Sequence, residues 1–231
     1  MKQQFECKNC AECSEKAPMF MLLKPEELRI INEDRYTVNF RPGEIILKQG
    51  TTSSHVISIV TGFAKIYIES YNNRNLILNF IKPWKILGGP GIHTDNKHHY
   101  TVAAIEASKV CFIDVQNFKK VLRMNCQFAE AFISNLNQKS IYTYKRLVSL
   151  TQKQMPGRIA DGLLYLANEV YHQTCFQTPI SRQDIADFTA MSKDSAIRIL
   201  KDFERDRIIS LKGKEVCILD MDQLKEISLK G

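Results

Sequence analysis

The sequence predicts an α+β protein: an N-terminal antiparallel β-roll of the jelly-roll or double-stranded β-helix kind, then a long helix, then two short helices and a small β-wing. Three observations predict it. Between Tyr36 and Asp114 short apolar runs recur with turn residues between them. From about Cys126 to Thr151 apolar residues return at helical spacing. Ser181 and Ser192 then each stand where a short helix would start.

Taken in order, Pro25 suits a first helical residue and Glu26 and Glu27 favour the positive helix end, so a short helix is expected there. The strand candidates are residues 36–40, 44–48, 56–60, 63–69, 76–81, 101–106 and 110–113. Arg41-Pro42-Gly43, Gln49-Gly50, Thr61-Gly62, Asn72-Asn73 and Ser108-Lys109 separate them. Short strands so spaced make a sandwich or barrel, most simply a double-sheet roll. Phe118, Val121 and Leu122 mark a short helix; Phe128, Phe132, Leu136, Tyr142, Leu147 and Leu150 mark the long one. Apolar residues lie on more than one side of that helix, and pairing with its twin in a second subunit would bury the second face. Pro156-Gly157 then interrupts it and marks a hinge, and a helix over 158–171 follows. These breaks divide the chain into residues 1–115, 116–153 and 154–231.

The most informative stretch is PISRQDIADFTAMSKDSAIRILKDFERDRII at 179–209. Ser181 with Asp184 reads as a capping box, and Ile185, Ala186 and Phe188 as an inward face. On the second helix, Ser192–Arg205, the residues Ala196, Ile199, Leu200 and Phe203 form one apolar stripe. The opposite face carries Lys193, Asp194, Ile197, Arg198, Lys201 and Arg205. Arg suits guanine, a carboxylate the cytosine amino group, an apolar residue the thymine methyl, and Lys the phosphates. The pair therefore reads as a helix-turn-helix whose DNA-contacting set is Ser181, Arg182, Ser192, Lys193, Asp194, Ile197, Arg198 and Lys201. Residues 210–218 read as two strands around Gly213, a wing that presents Lys212 and Lys214 to phosphates.

The formal net charge is +7, but it does not point at this module. Residues 151–231 hold 12 Lys/Arg and 12 Asp/Glu, leaving 20 and 13 for residues 1–150. No apolar run is long enough to span a bilayer and the N-terminus lacks an apolar signal core, so the cytoplasm is the expected compartment and no membrane partner is expected. Cysteines there are reduced thiols or metal ligands. Cys7, Cys10 and Cys13 cluster, whereas Cys126, Cys175 and Cys217 read as structural. His98 and His99 are adjacent, so on a strand they face opposite ways and cannot grip one metal. His55, His93 and His172 are isolated. No Ser/His/Asp set, carboxylate pair or phosphate loop appears, which disfavours the competing reading of a small-molecule-binding or metal-dependent enzymatic roll with an accessory helical domain.

With roll, long helix, hinge and winged module in that order, the chain resembles the CRP/FNR family of bacterial transcription regulators. The stretches that carry the resemblance are PGEIILKQG at 42–50, TGFAKIY at 61–67, PGRIADGLLYLA at 156–167 and the segment 181–209. The resemblance implies a cyclic-nucleotide-binding-like sensor roll, a dimerisation helix and a homodimer. Its recognition helices would enter successive major grooves of double-stranded DNA about 34 Å apart, with RNA polymerase as a partner if the protein activates. Asp194 stands where the family usually has a longer Glu, and Ala190 replaces a common turn Gly.

A cyclic-nucleotide member would carry a Glu and an Arg in its phosphate cassette. The matching residues here are Gly88, Gly89 and Gly91, with His99, Tyr100 and Thr101 downstream; Gly89 takes the Glu place and His99 the Arg place. Losing both charged contacts predicts no response to cyclic AMP. The oxygen-sensing branch instead implies a [4Fe-4S] cluster on Cys7, Cys10, Cys13 and Cys111, although Cys13 follows Cys10 more closely than that branch's usual gap. The alternatives stay open: a terminus holding zinc or nothing with Cys111 as a core residue, thiol redox sensing, or haem.

Overall fold

The computed structural model describes residues 16–70 and 74–231. In chain order its elements are a 3-10 turn at Pro18–Leu22, α1 (Pro25–Asn32), β1 (Tyr36–Phe40), β2 (Ile45–Leu47), β3 (His55–Thr61), β4 (Ala64–Ile68), β5 (Leu76–Ile81) and β6 (Ile86–Leu87). A 3-10 turn at Pro90–His93 precedes β7 (Thr101–Ala104), β8 (Ser108–Asp114), α2 (Val115–Met124) and α3 (Cys126–Gln152). Then come α4 (Met155–Tyr165), a π-helical turn at Leu166–Tyr171, β9 (Cys175–Gln177), α5 (Arg182–Phe188), α6 (Lys193–Arg205), β10 (Ile209–Lys212), β11 (Glu215–Ile218) and α7 (Met221–Lys230). The α+β class is as expected; β6, β9 and α7 are additions to the sequence reading.

The chain forms two compact units. One holds the described residues up to Ala64 with Ile81–Lys139, the other Lys65–Phe80 with Ser140–Gly231. In the first, an antiparallel sheet runs β1-β8-β3-β6, and β2 pairs with β7. Val56, Ile113, Ile31, Val121, Phe118, Phe128 and Phe132 share one core there. The ring of Phe118 meets those of Phe128 and Phe132 edge-on, 5.6 and 5.2 Å away. The start of α3 is thus bound to the roll by two phenylalanines one helical turn apart. Glu27 is buried in this unit and accepts from Lys24 N and Asn125 Nδ2, both at 2.8 Å. Burial would raise its pKa, but these hydrogen bonds hold it below the ordinary value.

In the second unit β4 lies beside β5, and this hairpin packs on the helices. Phe188 touches the rings of Phe80 (5.1 Å) and Tyr165 (5.2 Å), and the Arg146 guanidinium lies 3.9 Å over it. Arg146 also donates to the carbonyls of Ile77 (3.1 Å) and Phe188 (2.5 Å). The break between α3 and α4 is tied together by Asp161, which accepts from Ser149, Lys153 and Ser228. Pro156, read from the sequence as a breaker, sits in the first turn of α4, where its missing N–H costs nothing.

Candidate nucleic-acid interface

The helix pair forms as its caps dictate. Ser181 Oγ accepts from Asp184 N (3.1 Å) while Asp184 Oδ2 accepts from Ser181 N (3.0 Å), completing the capping box that opens α5. Ser192 Oγ accepts from Ser195 N (3.1 Å) and opens α6. Between them Ala190 adopts φ +52°, a left-handed conformation unfavourable for any residue with a Cβ. Its carbonyl and that of Thr189 accept from Arg158 Nη1 (3.0 and 3.3 Å), and Thr189 Oγ1 donates to Ile185 O (2.7 Å). Arg158, whose role the sequence pattern did not disclose, therefore clamps the turn that sets the angle between the helices.

Ala196, Ile199, Leu200 and Phe203 are buried. The opposite face turns outward: Asp194, Ile197, Arg198 and Lys201 line one open hollow together with Asp202 and Arg205. Lys193, Asp194, Arg198 and Lys201 make no side-chain hydrogen bond or ion pair among the described residues, so their polar groups face water. Arg205 differs from its neighbours, because ion pairs to Asp202 (2.9 Å) and Asp206 (3.3 Å) hold its guanidinium along the helix. Arg182 is half-buried at the start of α5. Behind this face Lys65 Nζ pairs with the buried Asp184 at 2.6 Å, a link from β4 to α5 that sequence spacing could not show.

The wing forms as β10 and β11, with Lys212 opposite Glu215 and Gly213 at φ +61° in the turn. Lys212 and Lys214 are exposed. A third strand, β9, lies on the other side of β11, and there Cys175 faces Cys217 in a disulfide. The sequence leads one to expect reduced thiols here; the structure corrects this, because the antiparallel register of β9 on β11 sets Cys175 directly opposite Cys217, and β9 is too short a strand to recognise in sequence.

In the roll, Gly88, Gly89 and Gly91 lead into the Pro90–His93 turn. Gly89 has φ +69° and lies beside the Tyr100 hydroxyl, and a side chain at Gly91 would run into the Lys97 carbonyl. The Tyr100 hydroxyl is pushed above its ordinary pKa by burial. Thr101 is buried, its hydroxyl accepting from Gln49 N at 3.0 Å. His99 is exposed and its Nε2 is paired with Asp95 at 3.0 Å, facing a carboxylate rather than standing ready for a phosphate. Cys111, in β8, is buried with its sulfur 3.5 Å from Arg35 Nη1. Cys7, Cys10 and Cys13 lie outside the described residues.

An antiparallel β-roll and a winged helix-turn-helix in one chain are the parts of a class of DNA-binding regulators. Comparison with known proteins agrees: residues 37–125 match a cyclic nucleotide-binding domain and residues 157–227 a Crp-like helix-turn-helix domain. The chain belongs to the CRP/FNR family of transcription regulators and is a sequence-specific DNA-binding regulator. It is 23% identical over 227 residues to the transcriptional activator protein Anr of Pseudomonas protegens, covering 96% of this chain and 91% of the relative. It is 25% identical to the cAMP-activated global transcriptional regulator CRP of Salmonella typhimurium, covering 75% and 84% respectively. The solved structure of FixK2 from Bradyrhizobium japonicum shares the fold, with a TM-score of 0.77 at 19% identity over 84% of this chain and 96% of that one. No described helix is long and apolar enough to cross a membrane.

Proposed function

We propose that the chain works as a homodimer in which α6 of each copy enters a major groove and Lys193, Asp194, Ile197 and Arg198 read base edges. Ser181, Arg182, Ser192, Lys201, Lys212 and Lys214 hold the backbone. The observation that carries this is the two-sided α6: one stripe fully buried, the other a set of charged groups around an apolar Ile197, facing outward together. Dimerisation through α3 is supported by Ile133, Ile141, Tyr144, Leu147 and Val148, each at least half exposed along that helix. Such a row is unfavourable in water and suits a second helix. A signal in the roll would change how these helices pair and re-aim the winged units. This reading gives the chain no catalytic role, places it in the cytoplasm, and makes RNA polymerase a partner where the bound dimer activates. A gel shift with genomic fragments tests it; failure to retard any fragment would overturn it.

The roll, on this reading, does not answer to cyclic AMP. Gly89 brings no carboxylate for a ribose, and His99 is engaged by Asp95. A second reading of the signal is favoured by Cys111. Cys111 is buried in the roll, and the Arg35 guanidinium donates to its sulfur at 3.5 Å. Ala17, four residues after Cys13, lies in the same core as Cys111. Cys7, Cys10, Cys13 and Cys111 make a donor set of four thiols that suits a [4Fe-4S] cluster, which would supply oxygen sensitivity. Absorbance and iron analysis of protein purified without oxygen is the test; a colourless, iron-free preparation that binds DNA would rule the cluster out.

A further inference from the structure

We propose that Cys175 and Cys217 form a reversible thiol–disulfide site in the wing, oxidised by low-molecular-weight disulfides and read out as a tighter grip on DNA. The two residues are direct cross-strand partners, Cys217 of β11 opposite Cys175 of β9, with Cα atoms 4.0 Å apart and sulfurs bonded. The strand pair does not need the bond to stay together. Next to it the buried Val216 faces the buried Phe176, whose ring stacks on Tyr171 at 4.4 Å, and Thr178 N donates to Lys214 O at 2.9 Å. Reduced thiols would therefore remain neighbours at high effective concentration. Cys175 is exposed and Cys217 half-buried, so a small disulfide can approach the first and not readily the second.

The chemistry balances without any other group. The Cys175 thiolate attacks one sulfur of the small disulfide, forming a mixed disulfide and releasing one small thiolate. The Cys217 thiolate then attacks the Cys175 sulfur, forming the internal bond and expelling the second. The protein loses two electrons and two protons, which leave in the two small thiols.

The position gives the reaction a consequence. The bond spans 42 residues, and α5, α6, β10 and the Lys212–Lys214 turn all lie within the loop it closes. Closing that loop restricts local opening of the wing and fixes both lysines relative to α6. This readout rests on the winged-domain reading above; the thiol transition does not.

The test uses the full chain equilibrated at graded ratios of reduced to oxidised glutathione, quenched in acid, alkylated and analysed by peptide mass. The expected result is that the Cys175 and Cys217 peptides pass together from alkylated to linked in one two-electron transition, with Cys126 alkylated throughout. Absence of the linked peptide at every ratio, glutathione adducts alone, or a tightly held zinc ion shielding both thiols would overturn the proposal. Binding to a mixed-sequence duplex is then measured in both states, with the oxidised protein expected to bind at least about threefold tighter. Cys175→Ser and Cys217→Ser should each keep the reduced-state affinity in both buffers. Equal affinity of the two wild-type states, or a redox effect that persists in the variants, would remove the proposed readout. Loss of binding in both states alongside an intact thiol transition would instead remove the winged-domain reading.

Discussion

Arg198 and Lys212 are both exposed cations, but the proposed interface gives them different work. Arg198 projects from α6 beside Ile197, so Arg198→Glu should erase the preference for an operator over random duplex. Lys212 lies at the wing tip, so Lys212→Ala should weaken both complexes alike and reduce the salt dependence. Competition gel shifts at two salt concentrations separate these outcomes; an equal effect of both changes on both duplexes would contradict the assignment. At Ala190 the left-handed backbone costs about 1 kcal/mol that glycine would not incur. Ala190→Gly should raise the urea midpoint with an unchanged slope, whereas a lower midpoint would show that the methyl group packs usefully.

At the scale of the element, α3 has two different lives along its length. Phe128 and Phe132 are buried within the roll's core, while Ile141, Tyr144, Leu147 and Val148 are left outside. Tyr144→Glu should convert a dimer into monomers in sedimentation and reduce operator affinity by a hundredfold or more, since two half-sites no longer bind together. Unchanged sedimentation would place the dimer contact elsewhere. The helix was legible because phenylalanine and leucine repeat at its period, and α5 and α6 because serine caps announce them. What was not legible has physical causes. β6 and β9 have two and three residues, too few for any alternation to register. The pairings Lys65 with Asp184 and Arg158 with the Ala190 carbonyl join residues remote in sequence, which local spacing does not encode. α7 follows the wing with Asp220 accepting from Gln223 N, a local cap with no strong apolar period behind it to mark a helix.

For the whole molecule, charge and ionisation set two expectations. Lys139 donates to Ile86 O at 3.2 Å, and burial, aided by Lys85, pushes its pKa down to about 8. An unfolded chain holds that proton up to about pH 10.4, so between pH 8 and 10 this group makes the folded state more stable as pH rises and adds no further slope below pH 8. Lys139→Met should flatten that rise in denaturation experiments; an unchanged profile would mean that the ammonium is solvated. Cyclic AMP, titrated calorimetrically, should show no binding at micromolar concentrations, and measurable affinity would require a phosphate contact other than His99. The positive surplus of the chain lies outside residues 151–231, and α6, the proposed reading helix, carries a carboxylate, Asp194, among its cations. A regulator so built is repelled from every phosphate that Asp194 meets when the helix is out of register. Its residence on anonymous chromosome should therefore be brief, and its search for the few correct addresses correspondingly fast.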